Sequence, residues 1–120
     1  MNVVDLAGAF AHVTEPWRPL IVATLNGQDV KVVKVHGTFP WHRHETQAEL
    51  VLVVRGRFCV EYRDRVLELT AGQLTVVPPG VEHRTSAVDE AEVVIFEPEG
   101  VVNTGDAPVS AFTAPTAALR

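Results

Sequence analysis

The sequence contains one cysteine, Cys59, so no intrachain disulfide can form. A lone thiol fits a reducing compartment. No apolar run approaches the ~20 residues that a membrane-spanning helix needs. The opening stretch, MNVVDLAGAF, lacks a basic region and carries Asp5, which does not match a secretory leader. These features predict a soluble, cytoplasmic protein with no membrane partner. Positive charge is also in deficit: the formal net charge is −5. A general nucleic-acid binder would carry a basic face, so no nucleic-acid partner is expected. No internal repeat of the solenoid kind is present. Helical periodicity is confined to the first eleven residues, where DLAGAF gives a weak apolar stripe.

What is present is strand. The 120 residues suit one domain, and 47% hydrophobic with 21% charged residues is an ordinary globular balance. Pro16 and Pro19 hold the chain extended around Trp17. LIVATL then runs into Asn26-Gly27, a hairpin turn signal. DVKVVKVH follows with imperfect alternation, the mark of a bulge. ELVLVV (49–54) is apolar at nearly every position, which predicts cover on both faces. RFCVEYR alternates, RVLEL resumes the apolar face, and AGQLTVV ends at the rigid turn Pro78-Pro79-Gly80. AEVVIF (91–96) is the last clear strand. After Glu97, Pro, Gly, Ala, Thr and Ser dominate, predicting a loose tail. Short strands separated by turn signals give an all-β sandwich or barrel. The expected division is an N-terminal segment over 1–24, a β-barrel over 25–100 and a partly disordered tail over 101–120.

The chemistry concentrates in Trp41-His42-Arg43-His44-Glu45-Thr46-Gln47-Ala48-Glu49. On a strand, His42 and His44 point to one face, because side chains alternate with period two. Glu49 would point the other way on the same strand. A four-residue loop over 45–48 would instead make His44 and Glu49 cross-strand partners on one face. Two neutral imidazoles and a carboxylate suit Zn, Fe, Mn, Ni or Co. His83, just after Pro78-Pro79-Gly80, is a fourth candidate if the barrel closes. Glu45 falls in the loop and is expected in solvent. His36 and His12 read as satisfied or solvent-facing, and Arg43 points away from the ligands. Trp17 and Trp41 read as packing residues, and Cys59 as structural or outward. Arg55, Arg57, Arg63, Arg65 and Arg84 lie among acids and read as a solvated surface.

Gly37-x4-His42-x-His44-x4-Glu49-x6-Gly56 resembles the first motif of the cupins, and Gly72-x5-Pro78-x-Gly80-x2-His83 resembles the second. The short spacer, Arg57 to Ala71, is similar to that of small single-domain cupins. One departure is Ala87, where the second motif often carries Asn. The run Glu97-Pro98-x-Gly100-x-Val102-Asn103-Thr104-Gly105 is similar to the ending of small cupins labelled mannose-6-phosphate isomerase-like. The resemblance spans roughly residues 30–97. It implies a double-stranded β-helix, the cupin or jelly-roll barrel. It also implies one divalent transition metal (Mn, Fe, Ni, Co or Zn) on His42, His44, Glu49 and His83, and a homodimer.

Three neutral imidazoles and one carboxylate leave a divalent ion with a net charge of about +1. Leu50, Val51, Leu52, Val53, Phe58, Val60, Tyr62, Leu74 and Val76 are the expected apolar lining. The favoured reading is a metal-dependent enzyme of dioxygenase, isomerase or cyclase type, acting on a small oxygen-rich or aromatic molecule. No general acid or base stands out; Tyr62 and Glu97 qualify only by residue type. The alternatives are a non-catalytic module for a small ligand or metal, and a dimer whose metal only pins the barrel.

Overall fold

The computed structural model describes residues 3–114 and 117–118. A six-residue helix, α1 (Leu6–Ala11), comes first. Asp5 caps it by accepting a hydrogen bond from the Gly8 N–H at 3.2 Å. A helix this short is not stable alone. It is held by Phe10 and Ala9, both buried against Val32 and Val94 on the outside of the barrel. Full burial of an apolar side chain such as Phe10 contributes roughly 1.5–3 kcal/mol.

Seven barrel strands follow: β1 (Leu20–Leu25), β2 (Gln28–Thr38), β3 (Glu49–Arg55), β4 (Arg57–Tyr62), β5 (Val66–Thr70), β6 (Leu74–Val77) and β7 (His83–Pro98). A two-residue strand, β8 (Ala117–Ala118), adds parallel to β1; the other pairings are antiparallel. The Asn26-Gly27 signal is the β1–β2 turn, with both residues at positive φ. The irregular alternation in β2 corresponds to a register shift between Val35 and Gly37. The fold is an all-β jelly-roll barrel.

β7 organises the barrel. One edge pairs with β2 over nearly its whole length. The other edge pairs first with β4, through Tyr62↔His83 to Cys59↔Ser86. It then pairs with β3, through Arg55↔Glu92 to Leu50↔Phe96. β3 and β4 thus lie end to end along one strand, joined at Gly56. A Cβ there would sit 3.0 Å from the Cβ of Ala91, and φ is +88°, so this joint needs glycine. Between its halves β7 bends outward, leaving Val88, Asp89 and Glu90 exposed.

Inward rows form the core. Val33 and Val35 (β2), Val51 and Val53 (β3), Phe58 and Val60 (β4), Leu69 (β5) and Val93 (β7) are all buried together. The alternate residues face outward. α1 covers part of that outer face, next to Leu52 and Val54. The double cover expected for ELVLVV is therefore incomplete: Leu50, Leu52 and Val54 are half-buried. Leu74 and Val76, expected in the lining, are 56% and 50% exposed. Their parity in β6 puts them outside, beside Leu52 and Leu50, so those four do not line the interior.

After β7 the chain turns back over one end of the barrel. Composition alone pointed to a loose tail, but side-chain hydrogen bonds hold it as far as Ala114. Asn103 donates to the carbonyl of Phe112 at 2.8 Å and accepts from the Ala114 N–H at 3.0 Å. Asp106 accepts from the Arg43 N–H at 2.7 Å. No helix among the described residues is long and apolar enough to cross a membrane.

Candidate metal centre

His42, His44 and His83 converge, with one ligand atom of each within 4.8 Å of the others. His42 and His83 face each other in an isolated antiparallel bridge, exchanging backbone hydrogen bonds of 2.9 Å in both directions. His44 is two residues along, on the same side as His42. All three are buried. The Pro78–Gly80 turn is tied to this segment, because the Gly80 N–H donates to the His44 carbonyl at 2.8 Å.

Glu49 arrives by a different route from the one expected. Residues 45–48 do not close a hairpin, and His44 and Glu49 are not strand partners. Glu49 pairs with Val77 of β6 instead. It starts β3 with its side chain inward, and its carboxylate lies 3.5 Å from His44 Nε2. Convergence comes from barrel closure around β7, which local spacing does not encode.

The imidazoles are oriented by the backbone. His42 Nδ1 lies 2.9 Å from the Pro40 carbonyl, and His83 Nδ1 lies 2.9 Å from the Val81 carbonyl. A carbonyl only accepts, so each Nδ1 carries the proton and each Nε2 offers a lone pair. His44 Nε2 and His83 Nε2 are buried without a partner. Burial, then the neighbouring His83, pushes the His42 pKa down to about 4. Burial, then His42, brings His44 to about 4 as well. Burial also lowers His83. All three are neutral at pH 7, as metal ligation requires. Glu49 is pushed well up by burial and by the adjacent Glu97. A cation at this point would relieve that charge and give the orphaned Nε2 atoms a partner. The donor set therefore fits a divalent transition metal, with Nδ1–H held by backbone carbonyls in the usual supporting arrangement.

Two further ionisable residues belong to the same end of the barrel. Glu97 is 3% exposed and groups with His44 and Glu49 within 4.8 Å. Lys31, 1% exposed, donates to Glu97 Oε1 at 2.8 Å. Strand parity carries the signal for both. Lys31 shares the inward face of β2 with Val33 and Val35. Continuing the β3–β7 register one step beyond Leu50↔Phe96 sets Glu49 opposite Glu97.

A small cavity opens beside these groups, lined by His42, Glu49 and Glu97 together with Val33, Val51, Phe58 and Ile95. The space open to the centre of a water molecule is about 50 Å³. Trp17 packs against the core, as expected, and also lines this cavity. Its indole donates to the His36 carbonyl at 2.9 Å, its ring meets Phe39 at 4.8 Å, and its φ is +65°. Phe39 in turn packs edge-on against His42. Trp41 instead lies under the guanidinium of Arg63 at 3.7 Å. Glu45, His36 and His12 are exposed, and Cys59 is half-buried, facing away from the core row. Arg57, Arg63 and Arg84 pair with Glu68, Glu82 and Glu61.

Gly105 closes the site from the tail. A Cβ there would collide with the Arg43 carbonyl and lie 3.1 Å from His42 Cδ2. The tail thus lies directly on the segment that carries two of the imidazoles.

Fold and site together define a jelly-roll barrel with three imidazoles and a carboxylate gathered inside it. The Cupin_2 cupin-domain family matches residues 29–98, more than half of the chain, and the chain belongs to that family. It is 35% identical to a cupin-2 domain protein of Shewanella frigidimarina, with a TM-score of 0.80, covering 81% of this chain and 95% of that one. It is 26% identical over 87 residues to the uncharacterized protein YdbB of Bacillus subtilis (strain 168), covering 63% of this chain and 77% of that one. The fold is also similar to that of a hydroquinone 1,2-dioxygenase solved with cadmium and 4-hydroxybenzonitrile. There the identity is 15% and the TM-score 0.67, over 80% of this chain and 72% of that one.

Proposed function

We propose that the chain is a metal-dependent cupin enzyme acting on a small oxygen-rich or aromatic molecule. His42, His44, Glu49 and His83 hold one divalent transition metal of the Mn, Fe, Ni, Co or Zn group. The observation that carries this reading is the cluster of three buried imidazoles, two of them with unpartnered Nε2 atoms and one of these, on His44, 3.5 Å from the Glu49 carboxylate beside an apolar cavity. When bound, such an ion supplies Lewis-acid or oxygen-activating chemistry. The protein's own part is to orient and to exclude water. Pro40 and Val81 fix the imidazole rings, and the apolar walls lower the local dielectric, strengthening contacts to charge. The fold does not choose among dioxygenase, isomerase and cyclase chemistry; the identity of the metal would narrow that choice.

Elemental mass spectrometry of the untagged protein beside His42→Ala tests this. About one metal per chain, lost in the variant, is the expected result. No metal after reconstitution overturns it. A loaded site that binds a ligand but never converts one would favour a non-catalytic binding module.

We read the protein as a cytoplasmic homodimer. The lone Cys59 supports the compartment. The outer apolar row of Leu50, Leu52, Leu74 and Val76 supports pairing through that sheet face. Light scattering that returns a monomer mass refutes the dimer.

A further inference from the structure

We propose that Glu97, clamped by Lys31, reads a hydroxyl group on the substrate, so that the site selects small neutral hydroxyl compounds with an apolar body over carboxylates. This rests on the metal site proposed above and names the substrate class for it.

Lys31 and Glu97 form a buried ion pair at 2.8 Å. Such a pair is weak as a stabilising device, because an apolar pair of similar volume often does as well or better. Its geometry points to another use. Lys31 engages Oε1 only; Glu97 Oε2 is buried with no partner other than the neighbouring Glu49 carboxyl, which a metal held by Glu49 would leave without a proton to donate. Glu97 lines the cavity and Lys31 does not. A guest therefore meets an acceptor whose position is fixed from behind by a cation it does not touch.

The other groups around the cavity sharpen the selection. Among the described residues, no Lys or Arg lines it. Asn103 is engaged by Phe112 and Ala114. A metal on the imidazoles would attract any oxygen ligand, bare or protonated. Glu97 adds the distinction between them: a hydroxyl can donate to Oε2, whereas a carboxylate oxygen would face a second carboxylate in a dry site, where like charges repel strongly. Val33, Val51, Phe58 and Ile95 then favour an apolar body for the rest of the guest.

The test is calorimetric titration of the zinc-loaded protein with phenol, anisole and benzoate. Phenol is expected to bind at least tenfold tighter than anisole, which lacks the donor, and than benzoate, which brings a charge. The double variant Lys31→Met/Glu97→Gln removes both charges without stranding either. It should keep about one zinc per chain and lose at least tenfold of the phenol-over-benzoate preference. Glu97→Gln alone is the second variant should the double fail to fold, with the same expectation. Three results overturn the proposal: no phenol binding at millimolar concentration, a preference that survives the variants, or loss of zinc from them, which would make Glu97 a ligand. Failure of the metal reading is separately visible as absent zinc, and the same titrations on the metal-free chain still test Glu97.

Discussion

The two ends of the barrel are built from the same strands and differ in almost everything else. At one end the inward positions of β2, β3 and β7 are Val35, Val53 and Val93, with Val60 and Leu69 beside them, all buried. At the other end the same three strands turn inward Lys31, Glu49 and Glu97, next to three imidazoles. The first end buries apolar surface and contributes the stability. The second leaves carboxylates adjacent and imidazole nitrogens without partners, an arrangement that costs stability unless something binds there. Parity decides which side of the barrel a residue occupies; height along the strand decides whether that residue serves folding or binding.

Leu69→Ala, at the apolar end, should separate the two roles most clearly. A buried leucine cut to alanine costs about 2–5 kcal/mol. Chemical denaturation should read that loss, while elemental analysis should find the metal content unchanged. A variant that lost metal in proportion to stability would break the division between the ends.

His44→Leu is the reverse experiment. Metal content should fall to background. The melting temperature of the metal-free protein should hold or rise, because an unpartnered buried nitrogen is replaced by hydrocarbon. In the native chain, chelation should lower the melting temperature, since a ligand bound only by the folded state stabilises it.

Acid sharpens the comparison further. The pKa values of His42 and His44 are lowered from 6.5 to about 4 in the folded protein. Between those values the unfolded chain takes up protons that the folded site refuses. Metal-free protein should therefore lose stability as pH falls from about 6.5 to about 4. Glu49 acts in the opposite sense. Its raised pKa makes the folded site lose stability as pH rises above the ordinary carboxylate value of 4.5. Denaturation midpoints across this range should show the acid-side fall in the native chain and a flatter profile in His42→Leu/His44→Leu.

The smallest effect belongs to neither end. Asp5→Ala removes the cap of α1 and should cost about 1 kcal/mol by thermal melting, with no change in metal content. A larger loss would mean that the helix carries more of the outer face than Phe10 and Ala9 suggest.

Much of this was legible in the residues. Turn signals at Asn26-Gly27 and Pro78-Gly80, together with alternation in RFCVEYR, marked the strands and their inward faces. His42, His44, Glu49 and His83 stood out by type and spacing. Three things were not legible, for one physical reason. Leu74 and Val76 looked like lining because hydrophobicity reports burial and not side. The link between His44 and Glu49 was read as a hairpin because local spacing cannot show that β3 pairs with β6 and β7. Lys31 gave no motif, and Glu97 stood out only by residue type and as the start of the closing run; they become partners only when β2 and β7 pair. Contacts between distant segments are decided by closure of the sheet, and a short window of sequence does not contain that event.

The bend in β7 has a consequence for the order of events in time. His83 and Glu97, near its two ends, would stand about 46 Å apart on a straight strand at ~3.3 Å per residue. Both instead come within reach of His44. The same strand supplies partners to β2, β3 and β4, so before it docks those strands lack the neighbour that sets their register. Pairings this distant in sequence make for slow folding. On the ribosome, the histidines of the first motif emerge early and stay a bare pair on an open chain. The third imidazole, His83, is made only when two thirds of the chain are complete, and β7, which brings the set together, runs on to Pro98, so any metal capture by these residues would come late in synthesis.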